Sequence, residues 1–384
     1  MNIKNPKKNE GKNSLMAYLL IILIGLSLHF IEVSFTKQLE IISTLSDWDF
    51  YLFYAIVRED GPMSKKFLFF AVRAVVSISL IWLLLFNLGR KNLQEFPTYL
   101  QNASYSLLAV AVLLFFIGVT FSALRWKKLL EVQDIELKFG GAFSLTFIGF
   151  FFSNFLPGVV GGDAVKFYYV ARNSHKKSAS LASVLLDRIL GLSALIIIAF
   201  ISLLFGLRLS EIQEIVPFVF GLFILLLISL LLFFNLKNFS GLERFFRIKF
   251  LNLGERIKRF LDALSLYRGE KRILCLALFL SLIIQTLMVV ITYFISLSFH
   301  LDISFLYFLL FVPVIILIMS VPISISGIGV REGAFFLLFR TVGVSEIDAV
   351  ALGLGFYLVT IITSSFGGII YLLKGEALKK SREV

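Results

Sequence analysis

Cysteine, histidine and charge are all scarce in this chain of 384 residues. Its one cysteine, Cys275, lies inside an apolar run, which excludes an internal disulfide and any cysteine-based metal site. The three histidines, His29, His175 and His300, are scattered without the spacing of a ligand set. Charged residues make up 16% of the chain, well below the quarter or so usual in a soluble domain. No Walker loop, His-Glu-x-x-His pair or nucleophile elbow is present. Gly327-x-Gly329 is not preceded by a strand, so it is no dinucleotide fingerprint. About 11 residues follow the last apolar run, leaving no room there for a soluble catalytic domain. The expectation is a chain that is not an enzyme and carries no cofactor.

What fills the sequence instead is apolar. Hydrophobic residues are 58% of the total, 43 residues are Phe, and the mean hydropathy is +0.91. That excess cannot be hidden in a water-soluble core, so lipid is the solvent. The fold class expected is all-α, a polytopic transmembrane helical bundle. The net charge of +12 comes from basic residues between apolar runs. It reads as the positive-inside bias and contact with anionic lipid, not as nucleic-acid binding, since no reading module is visible.

Runs long enough to span are 67–88, 106–124, 180–207, 214–236, 273–297 and 347–373. Two further stretches, 141–157 and 305–320, are shorter and run into breaks. The first break holds Pro157, Gly161 and Gly162; the second holds Pro322, Gly327 and Gly329. Proline removes a backbone donor and glycine weakens a helix, so each cluster stops its helix. The freed backbone groups then need protein or water around them.

Charge parity points the same way. The segments 125–138, 166–177 and 237–272 and the tail are basic, while 89–105, 208–213 and 298–304 carry few bases or none. All the basic segments share one side only if 141–165 and 305–342 each enter and leave from a single face, and from opposite faces. The expectation is two re-entrant broken-helix hairpins with tips near 157–163 and 322–331, meeting near the middle of the membrane. Within 237–272, Phe246, Phe250, Leu253, Ile257, Phe260 and Leu264 recur at helical spacing beside a basic face. This cytoplasmic amphipathic segment either lies on an anionic leaflet or serves as a linker that sets topology.

Residues 1–62 fit poorly. Their apolar run 16–28 has a basic lead, as a signal anchor does, yet spanning with it would invert every later loop. Met63-Ser-Lys-Lys reads as a natural start before the first sound span. The expected organisation is therefore an extension at 1–62, a transmembrane domain at 63–376 and a cytoplasmic tail at 377–384.

Each break is followed at once by charge: Asp163 and Lys166 after the first, Arg331 and Glu332 after the second. Paired broken segments in two halves of a chain point to a transporter's midplane site. Asp187 and Arg188 lie near the start of the run 180–207, either facing the bundle interior or, for Arg188, snorkelling to the surface. Arg73 reads as a snorkelling residue. Arg125 and Trp126 read as the end of the span 106–124, with Trp126 in an interfacial belt. Asp163 and Arg331 are expected to meet near the midplane.

The stretch from Asn154 through Pro157-Gly158 to Gly161-Gly162-Asp163, then Asp187-Arg188-x-x-Gly191, then Gly327-x-Gly329-Val330-Arg331-Glu332-Gly333 and Gly343-Val344-Ser345 resembles the transmembrane region of lysylphosphatidylglycerol synthase. That region also occurs alone in bacterial and archaeal membrane proteins described as flippase-like. The resemblance covers residues 67–373. Lys166 departs from the arginine commoner after Gly-Gly-Asp; arginine forks onto phosphate and lysine does not, so headgroup preference shifts with it. The resemblance implies a cytoplasmic-membrane protein that moves or binds a lipid, a phospholipid or a polyprenyl-phosphate-linked one. Phosphate would meet Arg331, Lys166 and Arg188, while Asp163, Asp187 and Glu332 would pair with those bases or bind a cationic headgroup or ion. The synthase activity belongs to a separate soluble domain and is not expected here. The alternatives are a membrane-embedded lipid-modifying enzyme and a non-transporting partner of a lipid-synthesis enzyme.

Overall fold

A computed structural model describes residues 101–154, 161–206, 213, 216–235, 253–320, 327 and 329–380. The extension 1–62, the run 67–88, Arg73, Pro157 and Pro322 lie outside the described residues. The chain divides into two compact units, residues 1–64 with 248–256 and residues 65–247 with 257–384, and nearly everything described belongs to the second.

The described elements are all helices: α1 (Tyr105–Val132), α2 (Phe139–Ser153), α3 (Gly161–Ser174), α4 (Lys177–Gly206), α5 (Val216–Asn235), α6 (Leu253–Gly269), α7 (Lys271–Ser298), α8 (Phe305–Ser320), α9 (Val330–Arg340) and α10 (Glu346–Lys380). Four of them, α1, α4, α7 and the Glu346–Leu373 part of α10, are long and apolar enough to cross a membrane. Much of their apolar surface faces outward: Leu113, Ile201, Phe205, Phe279, Ile362 and Leu372 are all exposed. A helix apolar on both its packed and its outer faces is one solvated by lipid.

The spans α1 and α7 run antiparallel. At one end the Ser104 N–H donates to Ser298 O at 2.9 Å, and a His300 ring nitrogen lies 3.2 Å from Asn102 O. At the other end the Tyr267 hydroxyl donates to Leu129 O at 2.9 Å, and Gln133 Nε2 donates to Ala263 O at 2.8 Å. That second end gathers Lys127, Lys128, Arg172, Lys176, Lys177, Arg259, Lys271 and Arg272. At the first end Arg340 is the one exposed Lys or Arg among the described residues. Among the described residues the bundle therefore has a basic end and an end poor in bases.

Two pairs of short helices form hairpins. In α2–α3, Gly149 and Gly162 face each other so closely that a Cβ on Gly162 would lie 2.1 Å from Gly149 O. Just past α3, Lys176 Nζ donates to the carbonyls of Gln133 at 3.1 Å and Asp134 at 2.8 Å, just before α2. Both feet of this hairpin thus stand at the basic end. In α8–α9 the Phe339 ring near the end of α9 meets Phe308 and Phe311 near the start of α8, at 5.1 and 5.2 Å. Those feet stand at the opposite end. At 1.5 Å per residue these four helices are about 16 to 24 Å long, short of the roughly 30 Å of a hydrocarbon core.

Helix α10 seats both hairpins through its glycines. A Cβ on Gly367 would lie 2.0 Å from Phe147 O, and one on Gly353 3.2 Å from Glu332 Cα. Near the first tip, Asn154 Nδ2 donates to Ser364 Oγ at 2.7 Å. Arg331, at the second tip, lies over Tyr357. Tyr357 and Ser364 are seven residues apart, so Arg331 and Asn154 meet α10 at neighbouring levels, about 10 Å apart along its axis.

The described part of the amphipathic segment packs on the bundle. In α6, Phe260, Ala263, Leu264 and Tyr267 join a cluster with Leu129, Ala182, Leu186, Leu274 and Ala277, from the ends of α1, α4 and α7. Its apolar stripe is covered by protein over that stretch, because three helix ends offer it an apolar cup. Burial pushes the Tyr267 phenol above its ordinary pKa, so it stays an O–H donor to Leu129. Residues 237–252 lie outside the described residues.

Candidate functional site

Asp187 is the hub of a buried ion network. It lies ten residues into α4, about 15 Å along a helix of 30 residues, and its side chain is 6% exposed. Oδ1 accepts from Arg125 Nε at 2.7 Å, and Oδ2 accepts from Lys166 Nζ at 3.2 Å. Arg125 comes from α1, seven residues before its end. Its Nη1 donates to Ser281 Oγ on α7 at 2.7 Å, and that hydroxyl donates on to Ala277 O at 2.8 Å. Gln285, one turn further along α7, has Nε2 3.4 Å from Gly191 O on α4, which ties the same two spans.

From Lys166 the network continues outward. Its ammonium is 3.7 Å from Asp163 Oδ1, one turn earlier on α3, and 4.7 Å from the centre of the Trp126 ring. Asp163 Oδ2 accepts from Arg188 Nε on α4. Exposure rises along this path: the side chains of Arg125, Asp187 and Lys166 are 6–7% exposed, Asp163 is 12% and Arg188 is 39%. The adjacent residues 187 and 188 thus face two different partners, one toward the spans and one toward the hairpin. Charges inside a bundle are held only when paired and hydrogen-bonded, and the alternation of sign along this path meets that demand.

The second break is wired locally. Gly327 and Gly329 have φ of +74° and +80°, a left-handed backbone that favours glycine. Glu332 accepts at Oε1 from Arg331 Nε at 3.0 Å and Nη2 at 2.6 Å, and at Oε2 from the Gly329 N–H at 2.7 Å. The carboxylate therefore caps its own helix and neutralises its neighbour. The Arg331 guanidinium stacks 4.2 Å from the Tyr357 ring centre, and its side chain is 2% exposed.

Of the residues singled out in the sequence, Asp163, Lys166, Asp187 and Arg188 converge in one network, and Arg331 and Glu332 form a second cluster. The expected pairing of Asp163 with Arg331 does not form. Asp163 has Lys166 on its own helix face and Arg188 on a packed helix, while Arg331 has a carboxylate beside it in sequence. The structure adds Arg125, Trp126, Ser281 and Tyr357. Arg125 and Trp126 do not end the helix, which runs on to Val132, and Trp126 is buried in the bundle, not set in an exposed belt. The signal was present in Leu129, Leu130 and Val132, which carry the apolar pattern past the charge. Among the described residues no three His, Cys, Asp or Glu side chains converge as a metal site. His175 and His300 sit just past the ends of α3 and α7 with φ of +55° and +58°.

Comparison with known proteins agrees with this architecture. Residues 70–368 match the family described as the lysylphosphatidylglycerol synthase TM region. A UPF0104 membrane protein of Pyrococcus horikoshii is 27% identical over 333 residues, which cover 80% of this chain and 98% of that one. No solved structure matches the chain. A multi-pass bundle with this match over most of its length belongs to the lysylphosphatidylglycerol synthase TM region family.

Proposed function

We propose that the protein is a lipid flippase or lipid transporter of a bacterial or archaeal cytoplasmic membrane, moving a phospholipid or a polyprenyl-phosphate-linked lipid between leaflets. The observation that carries this reading is the graded ion network: closed within the spans at Arg125–Asp187 and opening at Asp163 and Arg188 beside a hairpin too short to cross. Ionisable groups this deep are expensive and mark a pathway or a binding site. Arg188, with Lys166 behind it, meets the headgroup phosphate, and Asp163 yields its partner to it. Arg331 and Glu332 form the corresponding charged tip from the other face. The chain acts without chemical change of the lipid, and an enzyme of lipid synthesis is its natural neighbour.

In this reading both hairpins are re-entrant, α2–α3 from the cytoplasmic face at the basic end and α8–α9 from the opposite face. Single cysteines placed in a Cys275→Ala background test it. Positions 138 and 175 should label from one side, and positions 303 and 343 from the other. Labelling of 138 and 175 from opposite sides would make the first hairpin a full span. For function, the purified chain is reconstituted into liposomes with headgroup-labelled phosphatidylglycerol or a labelled polyprenyl phosphate. Arg188→Gln should slow leaflet exchange at least ten-fold. Exchange equal to that of protein-free vesicles for both lipids would sink the transport reading, and a chemically altered lipid would identify a lipid-modifying enzyme instead.

A further inference from the structure

The residues that touch solvent or lipid in the network are Arg188 and, slightly, Asp163; the residue at its closed end is Arg125. We infer that Arg125 is a positioning residue for the headgroup site, acting through Asp187 on Lys166, an inference that rests on the transport reading above. Three observations carry it. First, Arg125 is fixed at two points on two different spans, Asp187 Oδ1 on α4 and Ser281 Oγ on α7, both at 2.7 Å. The planar guanidinium does this with two separate nitrogens, Nε and Nη1, held in a fixed fork, where an ammonium would have to reach both acceptors from one atom. Second, by occupying Oδ1 it leaves Asp187 a single oxygen for Lys166, at 3.2 Å. Third, Lys166 stands between two carboxylates, Asp187 on the span and Asp163 on its own hairpin, at 3.2 and 3.7 Å. The neighbouring residue on α1, Trp126, supplies the ring beneath that ammonium.

The consequence is a balance. With Asp187 held by Arg125, Lys166 stays within reach of Asp163 and of the open end where Arg188 lies. With Arg125 loosened, both oxygens of Asp187 turn to Lys166 and draw the ammonium inward, away from an arriving phosphate. Arg125 never meets the lipid, yet it sets how strongly the site holds one.

The test keeps the charges and removes the fork. Full-length wild type, Arg125→Lys and Ser281→Ala are reconstituted into vesicles with graded mole fractions of labelled phosphatidylglycerol or a labelled polyprenyl phosphate. Initial exchange rates give a half-saturating fraction and a maximal rate, and thermal unfolding in detergent reports the folded state. Arg125→Lys should raise the half-saturating fraction about ten-fold, the size of one charge-assisted hydrogen bond. Its maximal rate should fall far less. Ser281→Ala should move the half-saturating fraction the same way by about three-fold. The neutral pair Arg125→Gln with Asp187→Asn removes both the fork and the competitor for Lys166, and should bring half-saturation back within about three-fold of wild type. A brace with no positioning role gives the opposite split: folded protein and maximal rate fall, and half-saturation stays put in every variant. That result overturns the inference and leaves the transport reading standing. Wild type that moves neither lipid overturns the transport reading, and the inference with it.

Discussion

The two hairpins look alike in sequence and are held in opposite ways. In α2–α3 the charges that follow the break reach other helices: Asp163 to Arg188 on α4, and Lys166 to Asp187 on α4 and across the Trp126 ring on α1. In α8–α9 the charges satisfy each other and their own helix end, with Tyr357 of α10 as the outside contact. The first hairpin is therefore tied to the spans by ion pairs between helices. The second carries its electrostatics with it, so it keeps its internal order wherever it sits. Similar sequence breaks make one coupled element and one self-contained element.

Four measurements break or sharpen that contrast. The largest effect is expected at the hub. Asp187→Ala leaves Arg125 and Lys166 buried without their shared carboxylate, which costs on the order of 3–5 kcal/mol. In detergent the variant should show little monodisperse protein on size exclusion. A melting temperature like that of wild type would mean the network is not a unit. Next come the glycines. Gly162→Ala drives a methyl into Gly149 O, and Gly367→Ala drives one into Phe147 O, with overpacking worth about 1–3 kcal/mol each. Gly333→Ala in the second hairpin meets nothing within 4 Å, and its helix propensity should raise stability by up to about 1 kcal/mol. Destabilisation by all three would erase the difference between the hairpins.

The wiring itself is read by double-mutant cycles on thermal stability. Asp163→Asn with Arg188→Gln should couple by about 0.5–3 kcal/mol, whereas Asp163→Asn with Arg331→Gln should add to within about 0.5 kcal/mol. Strong coupling of the second pair would join the two clusters that the geometry separates. The smallest effect is at the rim of the second hairpin. Arg340 and Glu346 pair at 3.2 Å, with Arg340 60% exposed, so Glu346→Gln should change stability by about 1 kcal/mol at most, and less in high salt.

The helical breaks were legible in the sequence because proline, glycine and following charge are local signals. The basic end was legible too, through the distribution of bases along the loops. Arg125 was not, for two physical reasons. Three bases within four residues, Arg125, Lys127 and Lys128, read as the end of the apolar run, although Leu129 and Leu130 continue the buried face of the same helix. Its partners, Asp187 and Ser281, lie 62 and 156 residues away, and no spacing rule reaches across such distances. The pairing of Asp163 with Arg331 failed for the converse reason: symmetry between two motifs suggested a contact, while nearer carboxylates and bases decided it. The stripe in α6 was readable as amphipathic, but not its acceptor, which exists only once the ends of α1, α4 and α7 have come together.

The separation of Arg125 from Asp187 has a consequence for how the chain is made. At about 5–20 residues per second, roughly 3 to 12 seconds pass between synthesis of Arg125 and synthesis of the carboxylate 62 residues on. During that interval the Arg125 guanidinium has no Asp187 to pair with. Lying seven residues from the end of α1, Arg125 has a side chain long enough to extend along the helix toward the headgroup layer. The bond that closes the inner end of the network is therefore a late one, formed only after the chain has been made as far as α4.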